Sequence, residues 1–281
     1  MDAGPRHALD CQLTPQLPDA RVRAAMAAFY KTNEGYAQQQ STHTPAYFGR
    51  LLDVIDAVLT IPSPRVLEIG AGSSGAMRAF LSKRPGARAI AMEMSPMSLR
   101  GGGGSEGPAL RGVAGDALHL PFSARSFDAV VAFEVVEHLP DVAHALEEAL
   151  RVVKRPGHII IGLPNHASLW TPLEDRLRRR NRLAFGVERG RGTWRWWKRN
   201  AALAWKKRMS SHPQFLYREP ILSASGGDAD AVYYAAPVDL LRFFRRHGAR
   251  LVTTSAHLRF GPAGSLIPVE LQGSTVMAWR V

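Results

Sequence analysis

The chain has 281 residues, 46% of them hydrophobic, and a formal charge of +12. That is enough for one sizeable core, and a single α/β domain of this size is common. No apolar run approaches the ~18–20 residues that a membrane-crossing helix needs, and residues 1–16 do not read as a secretory signal. Cys11 is the only cysteine, which excludes an internal disulfide and fits a reducing, cytoplasmic setting. No Cys/His cluster has zinc spacing. Between Arg176 and Arg208 there are thirteen Lys/Arg against one acid, Glu188, so this window holds the whole charge excess.

Residues 1–20 read as an aperiodic tail. Residues 21–59 read as helical, with apolar Val22, Met26 and Phe29 and later Leu51, Val54, Ile55 and Val58, until Pro62 and Pro64 stop them. Short β-rich runs then alternate with helical or loop segments: Arg65–Ile69, Ala87–Glu93, Gly112–Gly115, Phe127–Phe133 and Gly157–Gly162. Such alternation predicts βαβ units and a mostly parallel sheet. The glycine run 101–104 reads as a surface loop. The pattern stops after Pro164-Asn165 and resumes near residue 236, with a helix from Pro237 through His247 capped by Gly248. Strands Arg250–Ala256 and Ser274–Val281 follow. The expected organisation is one domain over 1–281: an N-terminal helical lid region (1–59), a core (60–165), a basic, Trp-rich insertion (166–235) and a closing helix and strands (236–281).

Val66-Leu67-Glu68-Ile69-Gly70-Ala71-Gly72-Ser73-Ser74-Gly75 places G-x-G-x-x-G between a strand and a helix. Gly70, Gly72 and Gly75 permit a tight turn and close approach of backbone to a ligand. Glu93 ends the next strand, placed to accept hydrogen bonds from ribose hydroxyls. This pattern alone suits a dinucleotide as well as other nucleosides. Glu68 separates them: a carboxylate there repels a pyrophosphate, whereas S-adenosylmethionine (SAM) has no phosphate and carries a cationic ammonium and a sulfonium.

Val-Leu-Glu-Ile-Gly-Ala-Gly resembles the first motif of class I SAM-dependent methyltransferases, of the type 11-like group. Further blocks agree in order. Gly115-Asp116-Ala117-Leu118-His119-Leu120-Pro121-Phe122 is similar to the segment whose Asp contacts the adenine amino group. Residues 126–139 are similar to the fourth strand and its exit, and residues 150–164 to the following helix, turn and fifth strand. The resemblance spans roughly 60–165 and returns over 236–281. It implies a Rossmann-like, seven-stranded, mostly parallel sheet with helices on both faces. It also implies SAM as cofactor, held by Glu68, Gly70, Ala71, Gly72, Gly75, Glu93, Met94, Gly115, Asp116, Ala117 and Phe133. Phe133-Glu134-Val135-Val136-Glu137-His138 resembles the E-x-x-E-H stretch of ubiquinone-biosynthesis-type O-methyltransferases.

Methyl transfer from a sulfonium needs alignment and exclusion of water, and a base if the nucleophile is a hydroxyl. His138, at the carboxyl edge of the sheet where such folds bind ligands, is the candidate base, its ordinary pKa near neutrality suiting the role; a capping role is equally open. Glu137 is a candidate to orient it. Asn165, Tyr30, Tyr36, Trp197 and Tyr233 are candidate substrate contacts, each with a packing or turn role as the alternative. His119 reads as an adenine-side residue. A metal-independent reaction is expected.

Trp194, Trp197, Ala201 and Trp205 fall at helical spacing, predicting an aromatic face edged by Lys and Arg. Three uses compete for it: a cap lining the substrate pocket, a basic amphipathic helix on an anionic membrane, and a nucleic-acid patch. The cap leads; no appended RNA-binding module favours the last. The leading expectation is O-methylation of a small or medium-sized organic acceptor in a secondary-metabolite or quinone-like biosynthetic pathway. An RNA methyltransferase, methylation of a membrane-associated lipid-like acceptor, an NAD-linked oxidoreductase and a non-catalytic SAM-binding partner are the alternatives.

Overall fold

The computed structural model describes residues 13–41, 43–101, 108–171, 183–184, 187–188, 193–222, 228–268 and 271–281. The glycine run from 102 onward and the charge run 176–182 lie outside them.

Seven strands form the central sheet: β1 (Arg65–Ile69), β2 (Arg88–Glu93), β3 (Leu110–Ala114), β4 (Phe127–Phe133), β5 (Val153–Pro164), β6 (Arg250–Thr254) and β7 (Ser274–Arg280). Their spatial order is β3-β2-β1-β4-β5-β7-β6. The first five run parallel, and β7 is antiparallel to both β5 and β6.

The strand side chains alternate between two cores, as a period of two requires. Leu67, Ile69, Val130, Ile159, Ile161, Met277 and Trp279 enter one. Val66, Ala89, Ala91, Val131, Ile160 and Ala278 enter the other. Both faces are therefore covered, as parallel sheets require. Helices α3 (Gly49–Val58) and α4 (Gly75–Lys83) pack on the second face through Leu51, Ile55, Met77 and Phe80. On the first face lie α6 (Val142–Val152) and, past the insertion, α8 (Pro237–Arg246), through Leu146, Leu150, Leu240 and Phe244. A short helix, α5 (Pro96–Gly101), follows β2.

The N-terminal helical region is broken where local chemistry breaks it. Asp19 caps α1 (Ala20–Thr32) by accepting from the Val22 N–H at 2.8 Å. Asn33 ends α1, and its side chain accepts from the Tyr36 N–H (2.9 Å), opening α2 (Glu34–Ser41). Strand β6 stops at Thr254 instead of reaching Ala256, because the Thr254 hydroxyl accepts from His257 N–H and starts α9 (Ser255–Phe260). Gly248 follows α8 in the left-handed region, φ +78°.

The insertion contains α7 (Thr193–Met209). The Trp194/Trp197/Trp205 stripe, which the cap reading would turn inward, is not its buried face. Trp196, Asn200, Ala204 and Lys207 point inward, while Trp194 and Trp205 are 58% and 66% exposed. The reason is polar. Asn200 donates to the backbone carbonyls of His166 and Ser168 (3.1 and 2.7 Å). Lys207, fully buried, pairs with fully buried Asp239, and burial lowers its proton affinity against the attraction of Asp239. Asp239 also accepts from the Tyr233 hydroxyl (2.9 Å) and the Gln214 N–H (2.8 Å).

Removing one partner of a buried ion pair strands the other charge. Lys207→Met is therefore expected to destabilise the fold by about 3–5 kcal/mol, whereas Lys207→Met/Asp239→Leu recovers a large part of the loss. Chemical denaturation of the three proteins checks this; a single variant as stable as wild type would refute it.

Candidate active site

A cavity of about 840 Å³ opens at the carboxyl ends of β1, β2 and β4. Its floor is the glycine turn. Gly70 and Gly72 both take left-handed backbone, φ +67° and +51°. A Cβ on Gly70 would stand 2.3 Å from Val135 Cγ2, so only glycine fits. The turn is tied to β2 by Glu93, whose carboxylate accepts from Gly72 N–H and Ser95 N–H, each at 3.0 Å. Asp116 is fixed by the Leu118 N–H (2.9 Å) and also lines the cavity, as do Met94, Gly115, Ala117 and His119. Gly75 begins α4 and packs under Phe48, where a Cβ would meet the ring at 2.8 Å; it and Gly72 shape the turn without lining the cavity.

Glu68 ends in the cavity almost completely buried, and its Oε2 has no hydrogen-bond donor. Burial, then the charge of Glu93, raises its pKa to about 8, with Arg78 opposing. Among the described residues, seven carboxyl side chains line the cavity: Glu68, Glu93 and Asp116 at the turn end, and Glu134, Glu137, Asp228 and Asp230 at the other. Arg23 is the only arginine or lysine among the described lining residues. An orphaned buried carboxyl in so acidic a space fits a ligand that brings ammonium and sulfonium charge, and opposes a pyrophosphate.

At the second end three distant segments meet. Tyr30 of α1 donates to Asp230 Oδ2 at 2.9 Å. His138 Nδ1 lies 3.1 Å from both the same oxygen and the Tyr30 oxygen. Burial works against charging the imidazole, but Asp230, then Glu137 and Asp228, outweigh it and raise the His138 pKa to about 9. The imidazole thus holds its proton more tightly than an unperturbed side chain does. Asp230 is held down at about 2, burial being overcome by His138 and Tyr30. Burial raises the Tyr30 hydroxyl well above its usual range, helped by Asp230.

Glu137 stands near the other ring nitrogen of His138. It is fully buried, its nearer oxygen lies 3.8 Å from His138 Nε2, and neither carboxyl oxygen has a donor. Burial, then Glu134, raises its pKa well above the carboxylate range. Asp230, at 3.1 Å from Nδ1, is the nearer of the two carboxyls to the imidazole. Glu134 sits in left-handed backbone at φ +54°, its pKa raised to about 7 by burial and Asp228.

Tyr30, Tyr36 and Phe133 line the cavity, with Phe29, Tyr47 and Phe48 beside them. Three expected substrate contacts do not. Asn165 is spent on structure, donating to the Gln272 carbonyl and accepting from the Ala167 N–H. Tyr233 is fully buried and bonded to Asp239. Trp197 lies on α7 away from the cavity lining. Among the described residues of the insertion, Trp196, Leu216 and Tyr234 build a small core of their own, and only Leu222, Asp228 and Asp230 reach the cavity. Sequence reading missed Asp228, Asp230 and Tyr47. The only trace of the first two is an Asp-Ala-Asp run just before Val232.

Residues 67–161 match the family model described as a methyltransferase domain. The chain is 42% identical over 100 residues to the demethylmenaquinone methyltransferase of Thermobifida fusca, covering 34% of this chain and 42% of that one. It is 29% identical over 126 residues to the ubiquinone/menaquinone biosynthesis C-methyltransferase UbiE of Cereibacter sphaeroides, covering 42% and 50%. The chain spans half or less of the length of these curated relatives. In fold it is similar to magnesium protoporphyrin IX methyltransferase (ChlM) from Synechocystis PCC 6803, solved with bound SAH, with a TM-score of 0.54, 9% identity and coverage of 92% and 99%. Residues 67–161 thus match a methyltransferase-domain model, and the chain shares its overall fold with solved methyltransferase structures.

Proposed function

We propose that the chain transfers a methyl group from SAM to a hydroxyl oxygen of a small or medium-sized organic acceptor, of quinol-like or secondary-metabolite type. One observation carries the reading: a single cavity joins the carboxylate-flanked glycine turn to the Tyr30–Asp230–His138 group. The names of the curated relatives support a quinone-type acceptor.

Glu93 and Asp116 are placed to hold the ribose and adenine, and Glu68 to face the ammonium. When bound, SAM supplies an electrophilic methyl group on a good leaving group. Tyr30, Tyr36 and Phe133 wall the acceptor and exclude water. His138 accepts the acceptor's proton at Nε2, since Nδ1 is committed to Asp230. Its high proton affinity in the free protein comes from neighbouring carboxylates. With a cation in the cavity those carboxylates are shared, and the imidazole gives up its proton nearer neutrality. A second reading keeps the same proton step but methylates a ring carbon of the deprotonated acceptor, as the name of the Cereibacter sphaeroides relative suggests.

Calorimetry should show binding of SAM and S-adenosylhomocysteine but not of NAD, with Glu93→Ala weakening it roughly tenfold or more. Binding of NAD with indifference to both sulfur nucleosides would end the reading.

His138→Ala should lower kcat on a hydroquinone acceptor by roughly 100-fold or more and leave S-adenosylhomocysteine affinity nearly unchanged. In wild type kcat/KM should climb with pH until about 9. Asp230→Asn removes the main charge opposing burial, so the same limb should move to lower pH. An unshifted limb excludes the dyad, and NMR of the product separates a methyl ether from a methylated ring.

A further inference from the structure

The outward face of α7 (Thr193–Met209) plays no part in the cavity. Residues 194, 198, 202, 205 and 209 follow helical spacing and form one stripe. On it Trp194, Trp205 and Met209 are 58%, 66% and 68% exposed. Lys198 lies in the stripe, and exposed Arg195, Lys206 and Arg208 flank it. The helix contains no acidic residue. Its other face is anchored by Trp196, Asn200 and the buried Lys207–Asp239 pair, so the stripe is presented on a fixed support.

Two exposed indoles with a methionine, rimmed by cations, match the layered polarity of a bilayer interface: apolar groups at the acyl boundary, ammonium and guanidinium among anionic headgroups. A single-stranded nucleic acid asks for something else, a basic groove with ring faces spaced to take successive bases. Here the aromatic groups share a convex ridge with Met209 and Ala202, which offer no stacking face. We propose that α7 seats this protein on an anionic lipid surface, its axis lying in the interfacial plane. The seat is linked to the cavity: Asn200 holds the His166 carbonyl, and the His166 ring lies 3.3 Å from Asp228 of the cavity wall. A surface-bound enzyme would meet acceptors that partition into lipid.

Full-length protein is to be mixed with vesicles of phosphatidylcholine alone and with vesicles containing about one third phosphatidylglycerol. Co-sedimentation with the second kind only is expected, weakening as salt rises. Lys198→Gln and Lys206→Gln should each weaken it about fivefold. Trp194→Ala/Trp205→Ala should weaken it roughly tenfold or more, and should reduce the quenching of tryptophan fluorescence by brominated lipid. These side chains are exposed, so thermal unfolding and S-adenosylhomocysteine calorimetry should stay at wild-type values; loss of vesicle binding is then separable from any failure of the cofactor reading. Indifference of wild type to anionic vesicles overturns the proposal. So does undiminished vesicle binding by the variants, or binding of single-stranded RNA in place of vesicles with the same variants weakening it.

Discussion

At the carboxyl edge of the sheet, the exits of β1 and β4 pass so close that one has no room for a side chain. Gly70 lies against Val135, and its backbone turns through a region that most residues avoid. The Gly72 N–H then reaches Glu93 at the end of β2. Three strand ends are thereby drawn to one point, and the cavity is the space left above them. The core on either side of the sheet serves this geometry by holding the strands in register.

The second determinant is charge. Among the described residues seven carboxyl groups share a partly dry space, and their mutual repulsion adds to the cost of burial. Glu68, Glu134 and Glu137 answer by holding protons more tightly than free carboxylates do. Such a group binds its proton better folded than unfolded, so its contribution to stability falls as pH rises; for Glu68 the window runs from the ordinary carboxylate range up to about 8. A cationic occupant relieves the same repulsion. The raised proton affinities and the fit to a positively charged, phosphate-free ligand are two consequences of one arrangement.

The parts legible in sequence are those governed by local rules. The strand runs, the glycine turn, the Pro237 start and the Gly248 stop each rest on side-chain period or backbone permission within a few residues. The carboxylate at Glu68 was readable because its position relative to Gly70 is fixed by the strand. Asp230 was not: it lies in an aperiodic stretch, and only the fold brings it to His138. The proton affinity of His138 was therefore unreadable too. The orientation of α7 was misread for a related reason. Hydrophobicity alone favours burying its tryptophans, but Asn200 and Lys207 have partners inside, at the His166 and Ser168 carbonyls and Asp239, that no helical pattern announces.

Tyr30 belongs to a helix, yet its hydroxyl is shared by a residue that follows β4 and one more than 90 positions farther along. Any movement of α1 away from the cavity must first part that hydroxyl from Asp230, a charge-assisted bond of about 1.5–3 kcal/mol. The same parting leaves the imidazole facing its carboxylate without the phenol between solvent and the pair. The position of α1 and the protonation of the His138–Asp230 pair are therefore coupled through one phenolic hydroxyl.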